Sequence, residues 1–478
     1  MAEQTSFKQS LGLVDATMIV AGSMIGSGIF IVSSDITRHV GSAGWLVAVW
    51  VITGFMTITA AVSYGELSGM YPKAGGQYVY LKEAYNPLMG FLYGWSFFAV
   101  IQTATIAAVG VAFSRYTAYL IPEVGEGKIL LSSFGITISA AQVLAIALIV
   151  FLTYTNTRGI KEGKFIQTTF TTIKLLSLFG LIILGFLLVK NSFWAENWKT
   201  GFNAMKEIVP AKGSPESMSG THGWEPIGGA ILIGAMAASM VGSIFSSDAW
   251  NNVTFIAGEI KTPKRNIGLS LFLGTFVVTI IYISANLMYL NVLPLNGIAY
   301  PEGGRVAVAA SDAIFGSIGS KVIAVMIMIS TFGCNNGLIL AGARVYYTMA
   351  NDRLFFKKAG TLNKQAVPQW ALWAQAVVAS LLCLSGGYND LLTMISFVVV
   401  IFYVLTIIGI FILRKKKPDV ERPYKAFGFP VLPILYIILG LTFCLFLALF
   451  EPVYSLWGLG IVLLGIPLYY LAVASRKE

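Results

Sequence analysis

Charge is what this chain has least of. Of its 478 residues only 11 % are Asp, Glu, Lys or Arg, and 56 % are hydrophobic, whereas soluble domains carry about 25 % charged residues. With a mean hydropathy of +0.76 the composition is that of an integral membrane protein, not a soluble domain. Histidine is nearly missing too. His39 and His222 are the only two, and neither stands in an HExxH or similar spacing, so no metal site is expected. There is no GxSxG elbow and no GxxxxGKS/T phosphate loop, which leaves hydrolysis and direct ATP coupling without machinery. No cofactor is expected and the chain does not read as an enzyme. The three cysteines, Cys334, Cys383 and Cys444, lie in apolar segments without paired spacing and read as packing residues, not as a disulfide framework. The net charge of +10 is no nucleic-acid signal, because the Lys and Arg are parcelled into short loops between apolar runs.

Those runs number about twelve, near 12–38, 43–69, 87–119, 136–155, 165–189, 227–257, 267–292, 320–350, 369–386, 391–413, 430–450 and 453–474. They are continuous and do not alternate every second residue, so the fold class is an all-α membrane bundle and not a barrel. The polar first ten residues lead straight into a full-length span, and no cleavable leader is expected. Basic residues follow the even-numbered spans: Lys73 and Lys82; Arg158, Lys161 and Lys164; Lys261, Lys264 and Arg265; Arg353, Lys357, Lys358 and Lys364; and Arg414 to Lys417. Lys8 and the terminal Arg476-Lys477 share that side, which places both termini in the cytoplasm.

The stretch Val20 to Phe30 is unlike the rest of its span. Gly22, Gly26 and Gly28 with Ser23 and Ser27 crowd the middle of a run otherwise suited to crossing a bilayer. Gly is the poorest helix former after Pro, so the helix can unwind there. At membrane depth an unwound backbone is tolerated only where it lines a cavity or binds something. Freed N–H groups suit a carboxylate and freed carbonyls suit a cation, and an amino acid carries both charges. Taken alone, the Gly22 and Gly26 spacing also fits close helix packing. Span six holds a second interruption, Gly242 to Asn251. Two broken spans five helices apart divide the chain into blocks of opposite orientation, the pattern of a secondary transporter with its site at the bilayer midplane. The organisation is a tail over 1–10, a first repeat over 11–190, an outer loop over 191–226 and a second repeat over 227–413. A basic loop over 414–429, two further helices over 430–474 and a tail over 475–478 complete it.

Polar residues inside the spans are the remaining candidates. Lys174 lies about nine residues, or some 13 Å, into span five, where a charge costs about 2.5–3.5 kcal/mol unless it faces a polar interior. It can stand where a sodium-driven protein would hold its ion, carry a proton, or snorkel to the surface. Asp248 can meet a substrate amine or cap a half-helix beginning at Ala249. Phe245 is placed to close over a substrate or simply to pack. Gln102 and Thr103, Tyr282 and Asn286, and Asn335 and Asn336 read as interhelical glue or as ligands.

Gly26-Ser27-Gly28-Ile29-Phe30, Lys174-Leu175-Leu176, and Trp250-Asn251 followed by Glu259 together resemble the amino acid–polyamine–organocation superfamily. Pro263 with Arg265-Asn266, the loop Lys417 to Pro423, Phe332-Gly333 and Asn336-Gly337 resemble its L-type amino acid transporter branch. The resemblance runs from about 11 to 472 and implies twelve helices with an inverted five-plus-five core. It implies that Gly26, Ser27 and Gly28 offer amides to a substrate carboxylate, and that carbonyls near Met24, Phe245 and Asp248 hold the amino group. Ser247, Gln102 and Asn336 complete the expected binding set. By the same resemblance Phe245 is an aromatic gate, Lys174 replaces sodium, and Tyr282 is coupled to Lys174. The partners expected are small-molecule amino acids and the lipid bilayer, with no nucleic acid. Pro122 to Ser139 contains no cysteine, so the disulfide-linked heavy chain of animal members is not expected, and the chain looks prokaryotic. Ser246-Ser247-Asp248-Ala249-Trp250 departs from the aromatic-and-small pattern of many members, which makes room, adds a charge and leaves the substrate open. The expectation is a sodium-independent exchanger. A proton-coupled amino acid or polyamine symporter is the alternative, and a channel or receptor without turnover is the rival from another class. The oligomeric state is left open.

Overall fold

The computed structural model describes residues 9–133, 136–158, 160–208, 223–385 and 388–474. Lys8, His222, Arg476 and Lys477 lie outside them, as do the side chains of Lys161 and Lys164. Runs of Leu, Ile, Val and Phe this long leave a backbone no water to bond, so helices that satisfy their own amides form throughout. In chain order they are α1 (Leu13–Met24), α2 (Ser33–Val40), α3 (Ala43–Met70), α4 (Gln77–Ala84), α5 (Pro87–Ser96) and α6 (Gln102–Leu120). Then come α7 (Ala140–Thr157), α8 (Ile160–Leu187), α9 (Gly229–Ser246), α10 (Asn252–Phe255) and α11 (Pro263–Val292). The last are α12 (Val306–Asn351), α13 (Gln369–Ser385), α14 (Tyr388–Lys416), α15 (Val431–Phe450) and α16 (Pro452–Ala474). Local sequence sets several starts. Asn86 accepts the Met89 amide at 2.9 Å ahead of Pro87, and Ser139 with Gln142 forms a capping box at α7.

Among the described residues ten helices are long and apolar enough to cross a membrane, and two shorter apolar ones, Leu13–Met24 and Gln369–Leu384, bring the number to the twelve expected. The differences lie at irregularities. The expected span 12–38 is two helices, α1 and α2. Span 87–119 carries a π-helical turn, Phe97–Ile101, between α5 and α6. Span 320–350 extends back to Val306 through a non-helical Gly316. Two short antiparallel strand pairs, Ile129–Ser133 with Ile136–Ser139 and Met205–Ile208 with Gly223–Pro226, lie between spans.

The two blocks interleave. Helix α3 lies along α11, α1 packs on α11 and α8, α9 packs on α2, and α6 packs on α12. The α3–α11 seam is tight, since a Cβ on Gly54 would fall 2.2 Å from Cγ2 of Thr279. Helices α15 and α16 stand outside, with Leu441, Leu449 and Trp457 exposed as a lipid-facing surface.

The basic loop after α14 is pinned beneath the bundle by one carboxylate. Glu66, fully buried on α3, accepts Nε and Nη2 of Arg414 at 3.0 and 2.7 Å. It also accepts the Ala426 amide at 2.7 Å, and Arg422 Nε stands 3.5 Å away. Removing the acid leaves two guanidinium groups uncompensated. Glu66→Ala is expected to lower stability by about 2–4 kcal/mol, allowing for the partial exposure of Arg414. Thermal unfolding in detergent checks this, and an unchanged midpoint would mean that other contacts hold the loop.

Candidate functional site

Helix α1 stops at Met24 because Ile25 leaves helical geometry, with ψ at 88°. The chain turns through Gly26 and Ser27 into a 3-10 turn, Gly28–Phe30, before α2. Each carbonyl at the end of α1 finds a partner, as burial in an apolar core demands. Lys174 Nζ donates to the carbonyls of Gly22 and Ile25, both at 2.8 Å. The thiol of Cys334 lies 3.5 Å from Ser23 O. The Met24 carbonyl accepts the Gly26 amide at 2.8 Å and the Tyr282 hydroxyl at 3.0 Å. Lys174 is 1 % exposed and, among the described residues, no carboxylate pairs with it. The buried ammonium is thus held by two backbone carbonyls of the first break. Beyond them, the amides of Ser27, Gly28 and Ile29 open the 3-10 turn, where no carbonyl of the same turn can reach them.

The second break follows α9. The Asp248 amide reaches back to Phe245 O at 3.2 Å, and Ala249 takes a left-handed φ of 61°, unusual for a residue with a Cβ. Helix then resumes only at Asn252, with Asn251 before it. The expectation that Asp248 caps a half-helix starting at Ala249 is therefore corrected: the left-handed Ala249 moves the start three residues on. Instead, Asp248 Oδ1 accepts the Tyr403 hydroxyl at 2.5 Å. The breaks touch one another. Tyr282, donor to Met24 O, also lies 2.9 Å from Ser246 O, so one hydroxyl proton is shared between the two breaks. A Cβ on Gly28 would fall 1.9 Å from Ser246 Oγ, so only glycine fits there.

Met24, Gly26, Ser27, Gly28, Phe245 and Asp248 enclose one chamber of about 20 Å³, about the space a water needs. Asp248 also walls two neighbouring cavities, one reaching Gln102 and Tyr403 and the other holding Ser247. Gln102 spends its Nε2 on Leu338 O at 2.5 Å. Asn336 is not brought to this group. Cys334 and Leu338 point α12 at the chamber, whereas Asn336 sits on the face toward α7, where its Oδ1 accepts from Asn156 at 2.8 Å. Two residues of helix turn a side chain by roughly 200°. Two tyrosines escaped sequence reasoning. Tyr388 bonds Ser27 Oγ through its hydroxyl at 3.1 Å and meets Phe245 edge-on at 6.1 Å. It lies ahead of the apolar run that starts near 391, where a tyrosine reads as an interface anchor. Tyr403 is one hydroxyl in an otherwise apolar helix, and its only signal is that Asp248 needs a donor.

The chamber is closed on both sides by different means. Toward the basic loops, Arg344 Nε meets Glu259 Oε1 at 2.7 Å in a nearly buried pair. The Glu259 carbonyl takes the amides of Ser10 and Leu11. On the other side Phe245, Ser27 and Tyr388 form a single layer, and beyond it opens a cavity of about 550 Å³ with Tyr388 in its wall.

Gly28→Ala is expected to cost about 1–3 kcal/mol by overpacking the contact between the breaks. Adding Ser246→Gly should recover part of that loss, a non-additive coupling readable by thermal unfolding of the single and double variants. Additive effects would mean that the breaks do not press on one another.

Residues 11–471 match the family described as amino acid permease. The chain is 29 % identical to the serine/threonine exchanger SteT of Bacillus subtilis (strain 168), covering 99 % of both chains. It is also 29 % identical to the large neutral amino acids transporter small subunit 2 of Homo sapiens, over 98 % of this chain and 81 % of that one. With the b(0,+)-type amino acid transporter 1 of Mus musculus the identity is 27 %, over 98 % and 89 %.

Proposed function

The chain belongs to the amino acid permease family, and we propose that it is a sodium-independent amino acid exchanger working by alternating access. The observation that carries this is the double hydrogen bond from Lys174 Nζ to Gly22 O and Ile25 O. The resident ammonium occupies the carbonyl cage that a co-transported cation would need, so no ion has to travel with the substrate. The substrate carboxylate meets the amides of Ser27 and Gly28; the Gly26 amide, expected to join them, is instead turned back onto Met24 O at 2.8 Å. The amino group meets carbonyls near Met24, Phe245 and Asp248. Phe245 swings to admit the ligand, since a chamber of about 20 Å³ opens only by movement of its walls. The substrate side chain extends toward Asp248, Gln102 and Tyr403, a polar wall that favours a compact side chain with a hydrogen-bond donor. SteT, by its name an exchanger of serine and threonine, handles substrates of that kind.

The two blocks, 11–190 and 227–413, act as inverted repeats, a reading supported by their paired breaks and by the packing of α1 on α11 and α9 on α2. With the basic loops in the cytoplasm, the 550 Å³ cavity faces outward and both termini inward. The loop from Pro122 to Ser139 has no cysteine, in keeping with work in the cell membrane without a disulfide-linked heavy chain. One observation favours a second reading. Among the described residues Lys174 has no acidic partner, as a proton carrier in a symporter would not need one.

Purified protein in proteoliposomes at symmetric pH without sodium separates these readings. Uptake of tritiated L-serine is expected to require amino acid inside, and Lys174→Ala to reduce it by about tenfold or more, having lost two charge-assisted hydrogen bonds. Uptake into empty vesicles driven only by an inward proton gradient would make the protein a symporter. Wild-type flux in Lys174→Ala would remove the account of that residue. Asp248→Ala should narrow the preference for serine over leucine by about tenfold, read from competition.

A further inference from the structure

The cavity of about 550 Å³ outside Tyr388 is far larger than the chamber between the breaks, and the exchange cycle assigns it no ligand. Three guanidinium groups, of Arg38, Arg115 and Arg305, and three carboxylates, of Asp35, Glu126 and Asp390, line it. Two of the arginines are committed to acids. Arg38 pairs with Asp35 and also donates to Ala299 O at 2.9 Å. Arg115 pairs with Glu126 at 3.3 Å and lies 5.3 Å above the Tyr388 ring. Arg305 is different. It donates to the carbonyls of Glu302 and Arg115 at 3.3 and 3.2 Å and rests 5.1 Å over Tyr119. Among the described residues no carboxylate stands within ion-pair distance of it. A guanidinium oriented by two carbonyls and a ring, and without an acid, is a fork set for a carboxylate.

We propose that this vestibule is a second binding site for an amino acid zwitterion, its carboxylate on Arg305 and its ammonium toward Asp35 and Asp390. This rests on the reading of the central site as one for amino acids. A simple anion would be drawn to Arg305 but repelled by the acids beside it, and a simple cation the reverse. A ligand carrying both charges satisfies both. The volume is in the range of small-molecule sites, and Tyr388, which lines it, bonds Ser27 of the inner chamber. A ligand held here waits at the layer it must cross, so the site raises the local substrate concentration at the gate.

Equilibrium dialysis of the purified full chain in detergent with tritiated L-serine tests this. About two serines per chain are expected, the weaker in the millimolar range that a solvent-open charged pocket allows. Arg305→Gln should lose the weaker class, and Arg305→Lys, which keeps the charge, should restore much of it. A wild-type count of about one or fewer overturns the proposal without recourse to any variant, as does a second class that persists in Arg305→Gln. Two bound serines with no exchange in proteoliposomes would defeat the exchanger reading and leave the vestibule standing. Exchange with a single bound serine would do the opposite.

Discussion

The structure depends on an accounting of backbone carbonyls in a place without water. Ending α1 in mid-membrane frees the carbonyls of Gly22, Ser23, Met24 and Ile25, and an unpaired carbonyl there costs several kcal/mol. Lys174, Cys334 and Tyr282 reach them from α8, α12 and α11. The break is thus the point on which three other helices converge. A lysine too costly to bury on its own and a helix end too costly to leave open satisfy each other.

The same contacts set what can move. Tyr282 ties the first break to the second through one proton shared by Met24 O and Ser246 O, and Gly28 presses on Ser246. In the proposed cycle a ligand inserted at the amides of Ser27 and Gly28 must disturb both breaks at once. Under that proposal, coupling between substrate and helix position needs no long pathway, because the groups proposed to bind are those that join the two breaks.

Much of this was legible in the residues. Gly and Ser crowded into an apolar run mark a break wherever they occur, and a lysine some 13 Å into a span must have a polar partner. Those two signals gave the first break and its tether. Tertiary consequences were less legible. Asp248 read either as a contact for a substrate amine or as a helix cap, and the cap reading failed because the left-handed Ala249 shifted the helix start to Asn252. Asn336 carries the same polarity as a ligand, and only the rotation of α12 shows that it faces Asn156. Tyr388 and Tyr403 carry no charge and interrupt no pattern, so their roles exist only once α14 is laid beside the breaks.

The charged pairs on the two sides of the chamber respond differently to the surrounding solution. The Arg344–Glu259 pair has side-chain exposures of 6 % and 11 %, beyond the reach of mobile counter-ions, whereas Arg115 and Glu126 stand at 21 % and 54 %. Dissolved salt weakens exposed pairs over a Debye length of about 8 Å at physiological strength and leaves buried ones nearly untouched. Ionic strength therefore reaches the charges that line the vestibule and leaves the pair that bars the opposite side as strong in salty solution as in dilute.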